Sequence, residues 1–140
     1  MPHGRRAWSK TGPRRGASVC PRTEPPIATF PAHTTPLGLT YYGASQFPEA
    51  FRGRIFVALH GSSKRQVQAG YELVSVEVGT TGAEARVESF ASGWLLDPSR
   101  SPREPDQNWG RPVQPVVGPD GALYLSDDAW GAVYRIWWAG

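Results

Sequence analysis

From Leu37 onward the chain alternates short apolar runs with clusters of turn-forming residues, and it nowhere sustains the period of an amphipathic helix. Leu37-Gly38-Leu39-Thr40-Tyr41-Tyr42, Gly53-Arg54-Ile55-Phe56-Val57-Ala58-Leu59 and Tyr71-Glu72-Leu73-Val74-Ser75-Val76-Glu77-Val78 read as successive strands, with Ala85-Arg86-Val87-Glu88-Ser89-Phe90 as a fourth candidate. A second series follows: Val113-Gln114-Pro115-Val116-Val117, Gly121-Ala122-Leu123-Tyr124-Leu125-Ser126 and Gly131-Ala132-Val133-Tyr134-Arg135-Ile136-Trp137-Trp138. Its first two members are joined through Pro119-Asp120-Gly121, where Asp120 reads as the acid of a tight turn. The stretch from Tyr71 to Val78 does not alternate cleanly around Glu72, Val74 and Val76, which predicts a strand packed on both faces. Phe47-Pro48-Glu49-Ala50-Phe51-Arg52 allows one short helical turn at most.

The second series repeats the grammar of the first. Each opens on a short strand, and a glycine leads into the larger apolar strand that follows. Trp109-Gly110-Arg111-Pro112 places a cation at the entrance to the second series, and Ser126-Asp127-Asp128 ends its middle strand in paired acids. That pattern predicts an all-β chain, a partial β-propeller whose charged residues sit at the mouth of a central channel. A small β-sandwich or a seven-stranded meander is the alternative. One blade cannot bury both of its faces, and roughly three stacked repeats are needed for independent stability. With fewer than two repeats, the expectation is a fragment, a truncated product, or a subunit whose missing blades come from another chain. The second series has no fourth strand. In closed propellers a strand from the far end of the chain often completes the last blade.

Charge divides the chain in two. Residues 1–26 carry Arg5, Arg6, Lys10, Arg14, Arg15 and Arg22 against Glu24 alone, whereas residues 27–140 are net acidic. The overall charge of +3 therefore belongs to the tail. Rich in Pro, Gly and Arg and without apolar period, residues 1–26 read as a disordered tail. A wrong translation start is the other reading, since 13 Arg against two Lys fits a GC-rich coding sequence. A basic arm suits nucleic acid, but only Trp8 interrupts it and no groove-reading motif follows, so no nucleic-acid partner is expected. The tail lacks the apolar core of a signal peptide, and no run is long enough for a transmembrane helix. Cys20 is the sole cysteine, which excludes an internal disulfide and a cysteine-based metal site.

Pro36-Leu37-Gly38-Leu39-Thr40-Tyr41-Tyr42, Ser45-Gln46-Phe47-Pro48, Arg52 through Ser62, Arg65, Gly110-Arg111-Pro112-Val113, Gly118-Pro119-Asp120-Gly121 and Ser126-Asp127-Asp128 form an ordered series. Over residues 27–140 that series resembles the C-terminal end of the glucose/sorbosone dehydrogenase family. The resemblance implies the last one to two blades of a six-bladed propeller. It also implies a quinoprotein that oxidises sugars, sorbosone-like aldehydes or polyols with pyrroloquinoline quinone (PQQ) and calcium, and hands electrons to an acceptor. A periplasmic or secreted location goes with it.

Two residues, Arg111 and Arg65, take cofactor-binding roles by this resemblance, and Lys64 and His33 are further candidates. Arg111 matches a family arginine that contacts the quinone; a structural ion pair with Asp127 or Asp128 is its alternative. A guanidinium suits a planar tricarboxylate because its fork pairs with carboxylates and stacks on flat rings. Arg65 matches the arginine that closes a His-Gly-Ser-x-x-Arg segment, against a solvated loop cation. Lys64 departs from the family pattern yet can pair with a cofactor carboxylate. Ser63 departs too, standing where relatives often carry tryptophan. His33 is placed on a loop at the channel face, and His60 reads as a structural histidine; neither has a carboxylate partner evident in the sequence. No catalytic residue and no metal ligand is assigned. In the family the histidine base and the calcium ligands lie in earlier blades, so the chain is expected to be inactive alone. Two further classes compete. One is a non-catalytic module binding a protein or glycan through its tryptophans, most of which read more simply as packing between blades. The other, a lactonase-type hydrolase, is disfavoured because Asn108 is the only asparagine.

Overall fold

A computed structural model describes residues 25–63, 65–82, 84–99 and 108–140. Among these, all regular structure is β apart from one 3-10 turn at Glu49–Phe51. β1 (Pro36–Tyr41), β2 (Ile55–Leu59), β3 (Glu72–Val78) and β4 (Ala85–Ala91) form an antiparallel sheet in sequence order. β5 (Pro112–Val117), β6 (Leu123–Asp127) and β7 (Ala132–Ile136) form a second one. Each strand falls where the apolar pattern predicts it, and the Pro-Asp-Gly turn joins β5 to β6. That turn closes through the Gly121 N–H on the Gly118 carbonyl at 3.0 Å, and the Asp120 carboxylate accepts from the Ala122 N–H at 3.2 Å.

The main core lies between the two sheets. Phe56, Ala58 and Leu73 from the first meet Leu123 and Leu125 from the second, with Tyr42, Phe47, Tyr71 and Trp94 filling the ends. Phe90 packs edge-on against Phe56 at 4.7 Å and against Phe47 at 5.4 Å between ring centroids, favoured geometries for aromatic pairs. The opposite face of the first sheet buries Val57, Leu59, Val74 and Val76 beneath Ala28 and Phe30. β3 is thus buried on both sides from Leu73 to Val76, as its irregular alternation predicts.

β1 and β5 are the edge strands that face each other across the join. Pro112 and Pro115 are tolerated in β5 because an edge strand needs no ladder donor on its free side. Gly38 is required at the crossing: a Cβ there would lie 2.6 Å from the Val113 carbonyl oxygen. The strand register puts the starts of β1 and β5 and the ends of β2 and β6 at one end of the molecule. The Pro-Asp-Gly turn and Arg54 lie at the other end. Two sequential antiparallel meanders, packed face to face with their first strands adjacent, are the arrangement of neighbouring propeller blades.

No helix among the described residues is long and apolar enough to cross a membrane. Most of the basic tail assigned to residues 1–26 lies outside the described residues.

Candidate functional site

The end bearing the entrances to β1 and β5 carries Arg111, His60, Asp127 and Asp128. Its centre is Arg111, immediately before β5. Its main-chain N–H donates to Asp127 Oδ2 at 2.8 Å. Its side chain crosses to the other sheet, where Nε donates to the His60 carbonyl at 3.2 Å and Nη2 to the Gly61 carbonyl at 2.7 Å. The guanidinium carbon stands 5.4 Å from the centroid of the Tyr71 ring. Among the described residues no carboxylate pairs with this guanidinium. The ion-pair alternative for Arg111 is therefore not what forms: Asp127 takes its main chain, and Asp128 turns to another residue.

The flanking residues explain why the chain reads Trp-Gly-Arg here. Trp109 donates from its indole nitrogen to the Gly93 carbonyl and packs against Trp94 and Tyr134, with ring centroids 6.1 and 5.9 Å away. A Cβ on Gly110 would overlap both Asp127 and Trp94. Gly61 is equally constrained: its φ is +103°, and the Tyr71 ring occupies the place of a side chain. The Tyr71 hydroxyl donates to the Ser62 carbonyl beside it. Burial pushes the Tyr71 phenol above its ordinary pKa, while the Arg111 charge pulls the other way.

Asp127 is buried and structural. Its Oδ1 accepts from the N–H groups of Ala129 and Trp130 at 2.9 and 3.0 Å, and its Oδ2 also accepts from the Tyr134 hydroxyl at 3.1 Å. Asp128 faces outward and meets His60, whose Nε2 lies 2.8 Å from Asp128 Oδ1. An ionised carboxylate only accepts, so the ring nitrogen is the donor. His60, for which the sequence shows no evident carboxylate partner, has one from the other sheet.

The remaining candidates occupy the same end. Arg65, on the loop after β2, donates from Nη1 to the Ala32 carbonyl at 3.2 Å, again without an acidic partner among the described residues. His33 neighbours Ala32 on the exposed loop before β1, at φ 68°. That loop is fastened to the end of β2: the Thr34 and Thr35 carbonyls accept from the N–H groups of Gly61 and His60. Arg111, Arg65 and His33 thus share one edge. Lys64 lies outside the described residues. No group of three or more His, Cys, Asp or Glu among the described residues is placed to hold a metal ion. Trp94 is packed inside, and Trp130, Trp137 and Trp138 are exposed on this chain.

Comparison with known proteins supplies the family. The model of a family described as TrAA12-like matches residues 4–139. The chain belongs to the TrAA12-like family. An uncharacterized protein of Borreliella burgdorferi is 30% identical over 115 residues, which are 81% of this chain and 28% of that protein. Among solved structures, the PQQ domain of pyranose dehydrogenase from Coprinopsis cinerea, in its holo form, aligns with a TM-score of 0.55 and 25% identity. The alignment covers 76% of this chain and 27% of that domain. An iodide structure of a Trichoderma reesei carbohydrate-active enzyme of family AA12 aligns with the same TM-score of 0.55 at 21% identity, covering 74% of this chain and 25% of that one. This TrAA12-like chain therefore spans about a quarter of the length of the relatives it matches. The relationship expected from the sequence holds at its coarser level, that of PQQ-dependent sugar dehydrogenase-like domains. It does not single out the glucose/sorbosone branch.

Sequence reasoning picked out Arg111 of this TrAA12-like chain but missed its two carbonyl partners, which leave no mark in side-chain identity. It also missed the His60–Asp128 pair. The one available signal was the doubled acid at the end of β6, where a single aspartate already suffices for the turn.

Proposed function

We propose that this chain forms the C-terminal blades of a quinoprotein dehydrogenase acting on sugars, sorbosone-like aldehydes or polyols, with its Arg111-bearing end turned to PQQ. The observation that carries this reading is the state of Arg111. Its guanidinium is fixed by two carbonyls and an aromatic ring, yet its positive charge is matched by no carboxylate among the described residues. A fixed cation that has not been neutralised is what an anionic, planar ligand requires. Arg65 adds a second cation on the same edge, and His33 a polar ring next to it. These residues fit a tricarboxylate.

When bound, PQQ supplies a two-electron acceptor for the alcohol or aldehyde carbon. The chain's own part is to bind and orient: Arg111 and Arg65 hold carboxylates, and Tyr71 backs the guanidinium from below. Lys64 joins them on this reading as a third cation. Turnover also needs a base and calcium ligands, which on this reading come from other blades. A periplasmic or secreted location goes with the same reading.

The exposed Trp130, Trp137 and Trp138 favour a second reading, a non-catalytic module that binds a protein or glycan. Titration of PQQ into the protein, followed by quenching of tryptophan fluorescence, separates the two. The quinone reading expects saturable quenching that weakens at least about tenfold in Arg111→Ala, the loss of one charge-assisted pair. Equal affinity in wild type and Arg111→Ala contradicts it.

A further inference from the structure

The geometry points to Asp128 as a positioning residue that sets the Arg111 guanidinium through His60. The residues form a closed circuit across the two sheets. Arg111 Nε donates to the His60 carbonyl at 3.2 Å, and the His60 ring donates to Asp128 Oδ1 at 2.8 Å. Asp128 follows Asp127 in the chain, and Asp127 Oδ2 accepts the Arg111 N–H at 2.8 Å. Two neighbouring acids of one turn therefore hold the two halves of the site. Asp127 holds the Arg111 backbone, while Asp128 holds the residue that the Arg111 side chain leans on.

Among the described residues, the charged and titratable groups in contact with His60 or Arg111 are Asp128, Asp127 and Tyr71. Asp127 cannot substitute for Asp128, because its two oxygens already accept from Arg111, Tyr134, Ala129 and Trp130. His60 lies between β2 and Gly61, and the N–H groups of His60 and Gly61 are held on their own sheet by the Thr35 and Thr34 carbonyls. The ring contact with Asp128 adds a fastening to the opposite sheet, and so helps fix the two carbonyls that aim Arg111. An isolated exposed side-chain contact contributes little. The His60–Asp128 hydrogen bond differs because its histidine side chain is only 13% exposed and because it closes a ring of contacts. The consequence for ligand binding rests on the PQQ reading above; the geometry does not.

The test is the hydrogen exchange of the Arg111 Nε–H, followed by NMR in the full chain as wild type, Asp128→Ala and Asp128→Asn. Asp128 is exposed, so neither substitution disturbs the core. The expected result is exchange about twofold to fivefold faster in Asp128→Ala, the range for a partly exposed pair. Asp128→Asn, which keeps an acceptor oxygen, returns it towards wild type. Equal exchange in wild type and Asp128→Ala overturns the proposal. So does a parallel loss of amide protection throughout β2 and β6, which is unfolding rather than positioning. PQQ affinity, measured on the same three proteins, reports separately. Faster Arg111 exchange in Asp128→Ala with no PQQ binding to the wild type upholds the positioning role and removes only the quinone reading.

Discussion

The two ends of the strands hold arginines in different ways. At the end bearing the Pro-Asp-Gly turn, Arg135 pairs with Asp120 at 2.8 Å, and Arg54 pairs with Glu77 at 3.1 Å and Glu88 at 2.5 Å, while the exposed Arg52 reaches, among the described residues, only the Ser45 carbonyl, at 3.5 Å. At the other end, Arg111 and Arg65 bond to main-chain carbonyls, with no acid among the described residues to neutralise them. The first arrangement fastens strands and leaves little charge to offer. The second fixes a side chain while keeping its charge available. Both ends also join the two sheets. One does so through Arg111, the other through the Tyr42 hydroxyl, which donates to the Gly121 carbonyl at 2.8 Å, and through Gln46, which exchanges two hydrogen bonds with the Trp138 backbone. Joining the sheets therefore does not by itself require an arginine.

The largest expected effect breaks the Arg111 end physically. Gly110→Ala drives a methyl into Trp94 and Asp127, and denaturant unfolding should register a loss of about 3 kcal/mol, the upper part of the range for overpacking. Tyr42→Phe breaks the other end. It strands the Gly121 carbonyl and the Phe47 N–H, which lies 3.0 Å from the hydroxyl, and should cost about 2 kcal/mol in the same assay. PQQ affinity should not change in Tyr42→Phe. If it falls as far as in Arg111→Ala, the two ends are not functionally distinct.

Much of this contrast was hidden in the sequence. The strands were legible because Ile55 to Leu59 and Leu123 to Asp127 carry apolar runs bounded by glycines, and Pro119-Asp120-Gly121 is a turn by its own chemistry. Arg111 stood out for its place between Gly110 and Pro112. What it holds did not, because a carbonyl belongs to every residue and only the fold decides which one comes near. His60 and Asp128 are 68 positions apart and meet only through the packing of one sheet on the other.

The smallest expected effect comes from acid. The hydrogen bond from Arg135 holds the Asp120 carboxyl below its ordinary range, and the bond from Arg54 does the same for Glu88. Both groups bind protons less readily folded than unfolded. Their contribution is therefore present above the unfolded carboxylate range and is lost as pH falls through the lowered folded values. Thermal unfolding midpoints should drift down over that acid window, and Arg135→Ala should flatten the part due to Asp120. An unchanged slope in Arg135→Ala would contradict this assignment.

Arg111, held by two carbonyls and the Tyr71 ring, is proposed to mark the ligand end. NMR of the full chain during a PQQ titration tests it most directly, with the Arg111 Nε–H and the Arg135 Nε–H as reporters of the two ends. A saturable shift at Arg111 and none at Arg135 is expected. Shifts of equal size at both ends, or a shift confined to Arg135, would contradict it.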